Sequence, residues 1–444
     1  MTSQDLASSH SGPLFPALLQ ARRDIETKNI RPTLPPYSRG KRLSSIEASF
    51  FLVAFPFICG ASCSIYFRVI GVLSVGQFLL CLGAIDAIWR WGIKSLTEGT
   101  LGRVMLLLLI LVAGLSLSDV WNDTPWDSRL KGYARIFTLV VDTIALLDFM
   151  SKRLTAFVCF VAGFGVGGAI LAALVDPNIF LPVIWKAYAG IPTTLLIVSL
   201  ISLVPSWGFR FGFFVLAGCA NVILDFRCLG GFCFAAAGIV WIQQNRKVDL
   251  RMLALGSVFV IAALAVMLFL TLERSADEAG DRQNMSNVER MAAFDVSVAA
   301  ICDSPVLGYG SWPEDRKRVA DFVGEVVSTT RRPLNLDPEE VLVIPYHSQV
   351  LQAWVEGGVL GVFFFLYYAF KLAASLRKLA LGFLDQRLVG LFTIILVMAL
   401  WDVFCSPLGA SHIPCAAMAL AIIVYIDRRW ARGRRLPESD AAVS

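Results

Sequence analysis

Histidine is the side chain of this chain best suited to proton transfer, and two of its few histidines stand beside apolar segments. Only three histidines occur among the 444 residues. His347 directly precedes a long apolar run, which predicts a position at a membrane surface where a helix begins. An imidazole there can act as a general base near neutral pH, since its unperturbed pKa is about 6.5. Histidines at membrane interfaces also occur without catalytic roles. His347 is the first candidate base, and His412, in a later loop, is the second.

The segment after His347 carries a polar stripe into the apolar run. Gln349, Gln352 and Glu356 recur at i, i+3 and i+7, so they share one face of a helix. Charged groups inside a membrane face protein or water rather than lipid. On an ideal helix of about 100° per residue, Glu356 points away from His347. We therefore expect Glu356 to have a structural role, holding its helix against neighbouring helices.

Arginines are the candidates for binding an anion. A guanidinium group stays charged and can donate two hydrogen bonds to one phosphate. Arg227 lies in a short turn between two apolar segments, where contact with the membrane surface or with Asp225 would explain it equally well. Arg290 lies in a long polar segment, and taken alone it would be interpreted as a solvated charge rather than an anion-binding residue. Arg331 and Arg332 belong to the same segment and could replace either arginine in binding a phosphate.

Composition indicates the elements that must position these residues. Hydrophobic residues make up 57% of the chain and charged residues 16%, whereas soluble domains contain about 25% charged residues. A helical membrane span needs about 20 apolar residues. We therefore predict an all-α, polytopic integral membrane protein of about twelve transmembrane helices. The predicted spans centre near residues 57, 80, 112, 143, 165, 200, 218, 236, 262, 357, 398 and 420.

The distribution of basic residues orients these spans. With both termini in the cytoplasm, thirteen lysines and arginines lie in the inner loops and six in the short outer loops. This asymmetry fits the positive-inside rule. One of the six outer residues is Arg135, in a loop predicted to run from Asn122. The single long loop then lies outside, with fourteen of the chain's thirty-four acidic residues and eight basic ones.

These features divide the chain into five predicted parts. They are a cytoplasmic tail over residues 1–45, transmembrane helices 1–9 over residues 46–272, a periplasmic loop domain over residues 273–345, transmembrane helices 10–12 over residues 346–427, and a cytoplasmic tail over residues 428–444. The ten cysteines are scattered through the chain, so they predict neither a disulfide framework nor a zinc site.

The predicted loop domain contains a helix and a turn. Ser286 and Glu289 have the spacing of a capping box, which predicts a helix from about Asn287 to about Asp303 with Arg290 in its first turn. Its apolar residues recur at helical intervals, so we expect them to rest on the membrane domain. They are Met291, Phe294, Val298 and Ile301. Gly308 and Gly310 then mark a turn.

Together these patterns resemble the family of O-antigen ligases and polymerases. The run from His347 to Gly361, HSQVLQAWVEGGVLG, is similar to the family signature H-N-x-x-L-Q-x-x-x-E-x-G-x-x-G, with Ser348 in place of the usual asparagine. The run from Arg290 to Trp312, RMAAFDVSVAAICDSPVLGYGSW, is similar to an arginine-led helix that ends in a P-L-x-G-x-G turn. Arg227, followed by two glycines, resembles the S-R-G start of another helix, although Phe226 and Cys228 flank it here.

The resemblance implies a multi-pass, GT-C-like glycosyltransferase of the bacterial inner membrane. Such an enzyme transfers a glycan from a polyprenyl diphosphate to an acceptor hydroxyl at the periplasmic face, with inversion at the anomeric carbon. His347 would be the catalytic base, and Arg290 and Arg227 would bind the diphosphate. The implied partners are the lipid-linked donor, a glycan or lipid A core acceptor, and membrane lipids. No nucleic acid or cofactor is expected. No metal is expected either, because the acidic pairs of the loop, which could hold a divalent ion, are predicted to be solvated charges.

Several functions remain open on the sequence. An O-antigen ligase and a polymerase of O-antigen or exopolysaccharide differ in their acceptor, whose contacts fall in loops without a clear pattern. A secondary transporter also often has twelve spans but usually shows two comparable halves, whereas here the large loop follows the ninth span. A lipid-linked glycan flippase is a closer alternative, although it would not need a histidine at the outer surface. A non-enzymatic scaffold for polysaccharide assembly would tolerate the loss of His347.

Overall fold

The computed structural model describes residues 50–68, 72–245, 278–330, 343–382, 384 and 386–433. Within these ranges the chain is helical apart from turns, loops and two short antiparallel strands, β1 (Tyr66–Arg68) and β2 (Val72–Ser74). Helices of eight or more residues are, in chain order, α1 (Phe55–Ser62), α2 (Val75–Trp91), α3 (Gly99–Trp121), α4 (Trp126–Lys152), α5 (Leu154–Val175), α6 (Gly190–Ile201), α7 (Trp207–Ile223), α8 (Arg227–Gln244), α9 (Glu278–Asp303), α10 (Arg316–Thr330), α11 (Gln349–Ala380), α12 (Val389–Cys405) and α13 (Ile413–Gly433).

Helices lie at eleven of the twelve predicted span centres, and the ninth centre, near residue 262, lies outside the described residues. Helices α3, α5 and α11 are long and apolar enough to cross a membrane. Shorter apolar helices accompany them over Leu52–Ser62, Trp185–Ile201, Trp207–Ile223 and Val389–Cys405. The all-α fold is that of a membrane protein, while the number of crossings and their direction stay predictions.

Helix α13 forms the middle of the apolar core. Its residues from Ala416 to Val424 are at most 5% exposed, and so are most residues along the inward faces of α4 and α12. Helix α13 packs against α4, α11 and α12. Helices α11 and α12 also pack against each other, and because close packing fixes each helix against several others, they are held in a defined relation.

Helix α4 corrects one prediction from the sequence. It begins at Trp126, so Lys131 and Arg135 lie within a helix rather than in an outer loop. Arg135 is only 8% exposed. The loop was predicted because charged residues lower the hydropathy of this segment, yet Arg135 has a buried carboxylate partner, described below, that makes its burial possible.

Helix α9 corrects two further predictions. It already includes Glu278, where this part of the described residues begins, and so it extends at least nine residues before the predicted start near Asn287; it ends at Asp303 as predicted. Its apolar face is predicted to rest on the membrane domain; Ile301 is buried as predicted, but Met291, Phe294 and Val298 are exposed. Small side chains are buried in their place, because they let α9 approach α10 and α11 closely. These buried residues include Ala292, Ala293, Ser297 and Ala300.

Candidate functional site

His347 lies at the start of α11, where two hydrogen bonds of Ser348 fix the backbone. Ser348 caps the helix, its Oγ accepting a hydrogen bond from the backbone nitrogen of Leu351 at 3.3 Å. The same Oγ donates to the carbonyl oxygen of Val403 in α12 at 3.0 Å. A side-chain cap supplies a partner for one of the free N–H groups at a helix start. The position of His347 is thus tied to both α11 and α12.

The imidazole of His347 is half-buried and free of strong partners. Within the described part of the chain, its ring makes no hydrogen bond. Burial and the positive charge of Arg290 both lower the pKa of His347 from the ordinary 6.5. Because each of these effects disfavours the charged imidazolium, His347 is neutral at neutral pH. A neutral imidazole with an unoccupied nitrogen can accept a proton from a hydroxyl group.

Arg290 is brought to the same place by α9. Its charge acts on His347, on Cys228 at the start of α8 and on Cys405 at the end of α12. The guanidinium of Arg290 is half-buried, and no carboxylate among the described residues forms an ion pair with it. The structure therefore brings together two of the residues predicted from the sequence, one a base and the other a cation available to an anion.

Arg227 opens α8, next to the Cys228 that Arg290 influences. Its Nη2 lies 3.5 Å from Oδ1 of Asp225, and the two side chains are 29% and 38% exposed. An ion pair this exposed contributes little to stability. The pairing with Asp225, one of the alternatives open on the sequence, is therefore present. Arg331 and Arg332 lie outside the described residues.

His412 has a partner that the sequence did not indicate. Its Nδ1 lies 3.2 Å from Oδ2 of Asp402, on α12. Asp402 is 7% exposed, so this carboxylate accounts for the position of the His412 ring. The spacing of ten residues across a turn gives no periodic signal, which is why sequence patterns missed the pair. A histidine already paired with a carboxylate differs from His347, whose ring is free.

A kink in α11 receives the turn that follows α9. Gly358 has a φ of 62° and a ψ of −157°, which interrupts the helix. The turn supplies hydrogen-bond donors to carbonyl oxygens of α11 at this interruption. The backbone nitrogen of Tyr309 donates to the carbonyl oxygen of Val355 at 2.7 Å, and that of Gly310 donates to the carbonyl oxygen of Glu356 at 3.0 Å. Buried backbone groups are costly without such partners. The turn of Gly308 and Gly310 is thereby locked into α11.

The end of α3 holds the other side of this turn. Asp119, fully buried, accepts hydrogen bonds from the backbone nitrogen and the Oγ of Ser311, at 2.6 and 3.0 Å. Asn122 donates from Nδ2 to the carbonyl oxygen of Gly308 at 3.2 Å. A Cβ at position 310 would lie 2.2 Å from Oγ1 of Thr124, so only glycine fits there. Asp119 and Asn122 were not among the predicted site residues, since nothing in an apolar helix marks such a contact.

Glu356 forms a buried network beneath the site. Its carboxylate pairs with both terminal nitrogens of Arg135, and its Oε1 accepts hydrogen bonds from the hydroxyl of Tyr346 at 2.8 Å and from Nε2 of Gln352 at 3.1 Å. Gln352 also accepts from the backbone nitrogen of Leu408 at 2.7 Å. The polar stripe of α11 therefore faces protein, and it links α11 with α4 and with the loop before α13.

The described residues contain no group of three or more histidine, cysteine, aspartate or glutamate side chains that could hold a metal ion. Among the described residues, the candidate groups are the free imidazole of His347, the guanidinium of Arg290 and the weakly paired guanidinium of Arg227. Such a set can remove a proton and stabilise a departing anion.

Comparison with known proteins identifies one related family. Residues 212–366 match the family model described as O-antigen ligase. The match covers about a third of the chain and includes Arg227, Arg290 and His347. The resemblance predicted from the sequence motifs is thereby confirmed for this region. A search of curated proteins finds no match to the chain.

Proposed function

Because residues 212–366 are similar to O-antigen ligases, we propose that the protein is an inverting glycosyltransferase that uses a polyprenyl-diphosphate-linked glycan. The acceptor is a hydroxyl group of lipid A core or of another glycan. The observation that carries this proposal is the contact between α9, the helix of Arg290, and the segment before His347: Oγ of Ser297 donates a hydrogen bond to the carbonyl oxygen of Pro345 at 3.3 Å. The positive charge of Arg290 accordingly helps to lower the pKa of His347. A free base next to a cation suits a reaction in which a hydroxyl loses its proton while a diphosphate departs.

The proposed reaction needs four changes in bonding. His347 takes the proton of the acceptor hydroxyl, and the oxygen attacks the anomeric carbon of the donor glycan. The bond from that carbon to the diphosphate oxygen breaks, and the lipid diphosphate leaves with the bonding electrons. Arg290 and Arg227 hold the diphosphate through two-pronged hydrogen bonds. Attack opposite the leaving group inverts the anomeric configuration.

The other predicted residues have supporting roles in this proposal. Glu356 holds α11 through its buried network, and Gly308 and Gly310 let the turn enter the kink of α11. Together they fix α9, and hence Arg290, relative to His347. The proposed topology places both termini in the cytoplasm and residues 273–345 in the periplasm, at the bacterial inner membrane.

Purified protein tests the proposal directly. It is combined in detergent with a lipid-linked glycan donor and an acceptor, with and without excess EDTA, and the product is analysed for its anomeric configuration. Transfer with inversion, unaffected by EDTA, is the expected result. Absence of transfer in detergent, together with movement of the donor across a bilayer, would favour a flippase. If EDTA stops transfer and added Mg²⁺ restores it, the two arginines are not sufficient to stabilise the departing diphosphate and a metal ion is required.

An experiment in cells is needed to distinguish a ligase from a polymerase. Deletion of the gene followed by analysis of surface glycans separates the two, because they act on different acceptors. Long carrier-linked chains that accumulate while lipid A core lacks polymer would indicate a ligase. Chains of a single repeat would indicate a polymerase.

A further inference from the structure

A small cavity lies between α3, α4, α11 and the loop before α13. Its lining includes Leu115 of α3, Arg135 of α4, Gln349 and Glu356 of α11, and Leu408 of the loop. The volume of the cavity is about 10 Å³, which is about the space that one water molecule needs. The cavity therefore has room for a ligand of one or two atoms and for nothing larger.

Gln349 is the member of the polar stripe whose side chain has no protein partner. Gln352 and Glu356 are held by hydrogen bonds to each other and to neighbouring segments. Gln349 is only 1% exposed, yet its Oε1 makes no hydrogen bond with any residue that the structure describes. A buried amide oxygen is costly without a hydrogen-bond donor. The donor that Gln349 requires must therefore lie in the cavity that its side chain lines.

Arg135 presents a complementary atom to the same cavity. Its two terminal nitrogens bind Glu356, but its Nε has no partner in the described part of the chain, and the residue is 8% exposed. Several other buried polar atoms of the described residues also lack a partner, but none of them belongs to a residue that lines this cavity. An unsatisfied donor and an unsatisfied acceptor thus meet at one small space.

The chemistry of these two atoms selects the occupant. The Nε–H of arginine only donates a hydrogen bond, and the amide oxygen of glutamine only accepts one. An anion has no hydrogen to donate to Gln349, and a metal cation would be repelled by the guanidinium of Arg135. Water can accept from Nε and donate to Oε1 at the same time. We propose that one ordered water molecule bridges Nε of Arg135 and Oε1 of Gln349.

This water ties the first turn of α11 to α4. Gln349 follows His347 by two residues, whereas Glu356, which Arg135 binds directly, lies seven residues or about 10 Å further along the helix. Arg135 consequently holds α11 at two levels, and Gln349 is a positioning residue for His347. The positioning role rests on the proposed function, in which His347 is the base, while the water site itself does not.

A density map of the full-length protein in nanodiscs, at a resolution that shows ordered water, tests the site. We expect density at hydrogen-bonding distance, about 2.7–3.2 Å, from both Nε of Arg135 and Oε1 of Gln349. Gln349→Met removes the acceptor at similar length and should remove the density, whereas Gln349→Glu keeps an oxygen there and should keep it. The matched control Ser375→Ala removes another buried, unpartnered polar atom of α11, away from the cavity, and should also keep it.

Three results would overturn the water site. The first is a map without density between the two side chains. The second is a direct hydrogen bond from Arg135 to Gln349. The third is density that persists unchanged in Gln349→Met, because Gln349 would then not hold the water.

Nuclear magnetic resonance of labelled histidine tests the positioning role without any turnover. The chain has only three histidines, so the ring signal of His347 is identified by its loss in His347→Ala. Gln349→Met should shift or broaden this signal and leave that of His412 in place, and Gln349→Glu should restore it. A general loss of stability would not act on one histidine in this way.

Transfer kinetics complete the test. In Gln349→Met we expect kcat to fall, by up to about 10²-fold if His347 moves by about 1 Å, with the donor KM unchanged. An unchanged His347 signal in a variant that has lost the water would overturn the positioning role. A shifted signal in a protein whose wild type shows no transfer would retain the water link and remove the proposed reaction.

Discussion

Two neighbouring regions of this protein treat their polar groups in opposite ways. In the interior, the carboxylates of Glu356 and Asp119 are buried and held by several hydrogen bonds. At the surface, His347 and Arg290 are half-buried and have neither hydrogen bond nor ion pair within the described residues. Buried polar groups need partners because desolvation is costly. Groups that must take a proton or a phosphate need free bonding positions. The contrast distinguishes residues that support from residues proposed to react.

Replacement of the free base should give the largest effect on activity. We expect His347→Ala to lower the rate of glycan transfer by about 10²- to 10⁴-fold, the range for loss of a general base, while the unfolding temperature in detergent stays unchanged. The matched variant His412→Ala removes a ring that is paired with Asp402 and should retain most of the activity. Equal losses in the two variants would remove the distinction between a free and a paired histidine.

Replacement of the supporting carboxylate should instead reduce stability. Glu356→Ala leaves Arg135 buried without its partner, and breaking a buried ion pair costs about 3–5 kcal/mol. Thermal unfolding of purified protein measures this loss. The double variant Arg135→Leu and Glu356→Leu removes both charges and should be more stable than Glu356→Ala. A single variant as stable as wild type would contradict the supporting role.

Much of the fold followed from simple patterns. Apolar runs predicted a helix at every span centre that lies in the described residues, because helix formation in an apolar environment depends on local composition. Three of the four residues predicted to form the buried face of α9 are exposed and only Ile301 is buried, because periodicity finds an apolar stripe but not what covers it. Large residues such as Phe294 were assumed to be buried, whereas alanines make the closest helix contacts.

The site was predictable only in part for a related reason. His347, Arg290 and Arg227 belong to motifs, so their types and spacing were visible along the chain. Asp119 and Arg135 support them across more than 180 residues of sequence, in contacts with Ser311 and Glu356. Such contacts depend on which helices become neighbours. No local pattern records that choice, and the polar residue of each pair appears isolated in its own helix.

The kink of α11 gives a test of the supporting region by backbone geometry. Gly358→Ala would add a Cβ about 2.0 Å from the carbonyl oxygen of Val306, at a φ of +62°. We expect this strain to lower the free energy of unfolding by about 3 kcal/mol or more. Gly324→Ala, in α10, meets no atom within 4 Å and serves as the matched control. It should slightly stabilise the protein, by about 0.5–1 kcal/mol, because alanine favours helix.

The pH dependence of transfer tests the link between the two free groups. His347 must be neutral to act as a base, so kcat/KM should rise with pH and reach its plateau early, since burial and Arg290 lower the pKa of His347. Arg290→Gln removes the positive charge, so the pKa should rise and the acidic limb should move to higher pH. Arg290→Lys keeps the charge and should keep the limb in place, although turnover falls because lysine lacks the two-pronged geometry. If the acidic limb of the kcat/KM profile lies at the same pH in wild type and both variants, the charge of Arg290 does not influence the pKa of His347.

The smallest effect is expected where the two regions join, at Ser348. Its Oγ accepts from Leu351 and donates to Val403, so this side chain connects the buried helices to the residue beside it, His347. Asparagine, the usual residue of the family signature, has both an acceptor and a donor and is an equally good helix cap. Ser348→Asn should therefore change stability by only a few tenths of a kcal/mol and leave kcat/KM nearly unchanged. Ser348→Ala loses both bonds and should cost about 1 kcal/mol, with a moderate loss of activity as His347 becomes less well positioned. Thermal unfolding and transfer kinetics on the same preparations measure both quantities. If Ser348→Ala matches wild type in thermal stability and in transfer kinetics, the hydrogen bonds of Ser348 do not position His347, and the packing of His347 itself must do so.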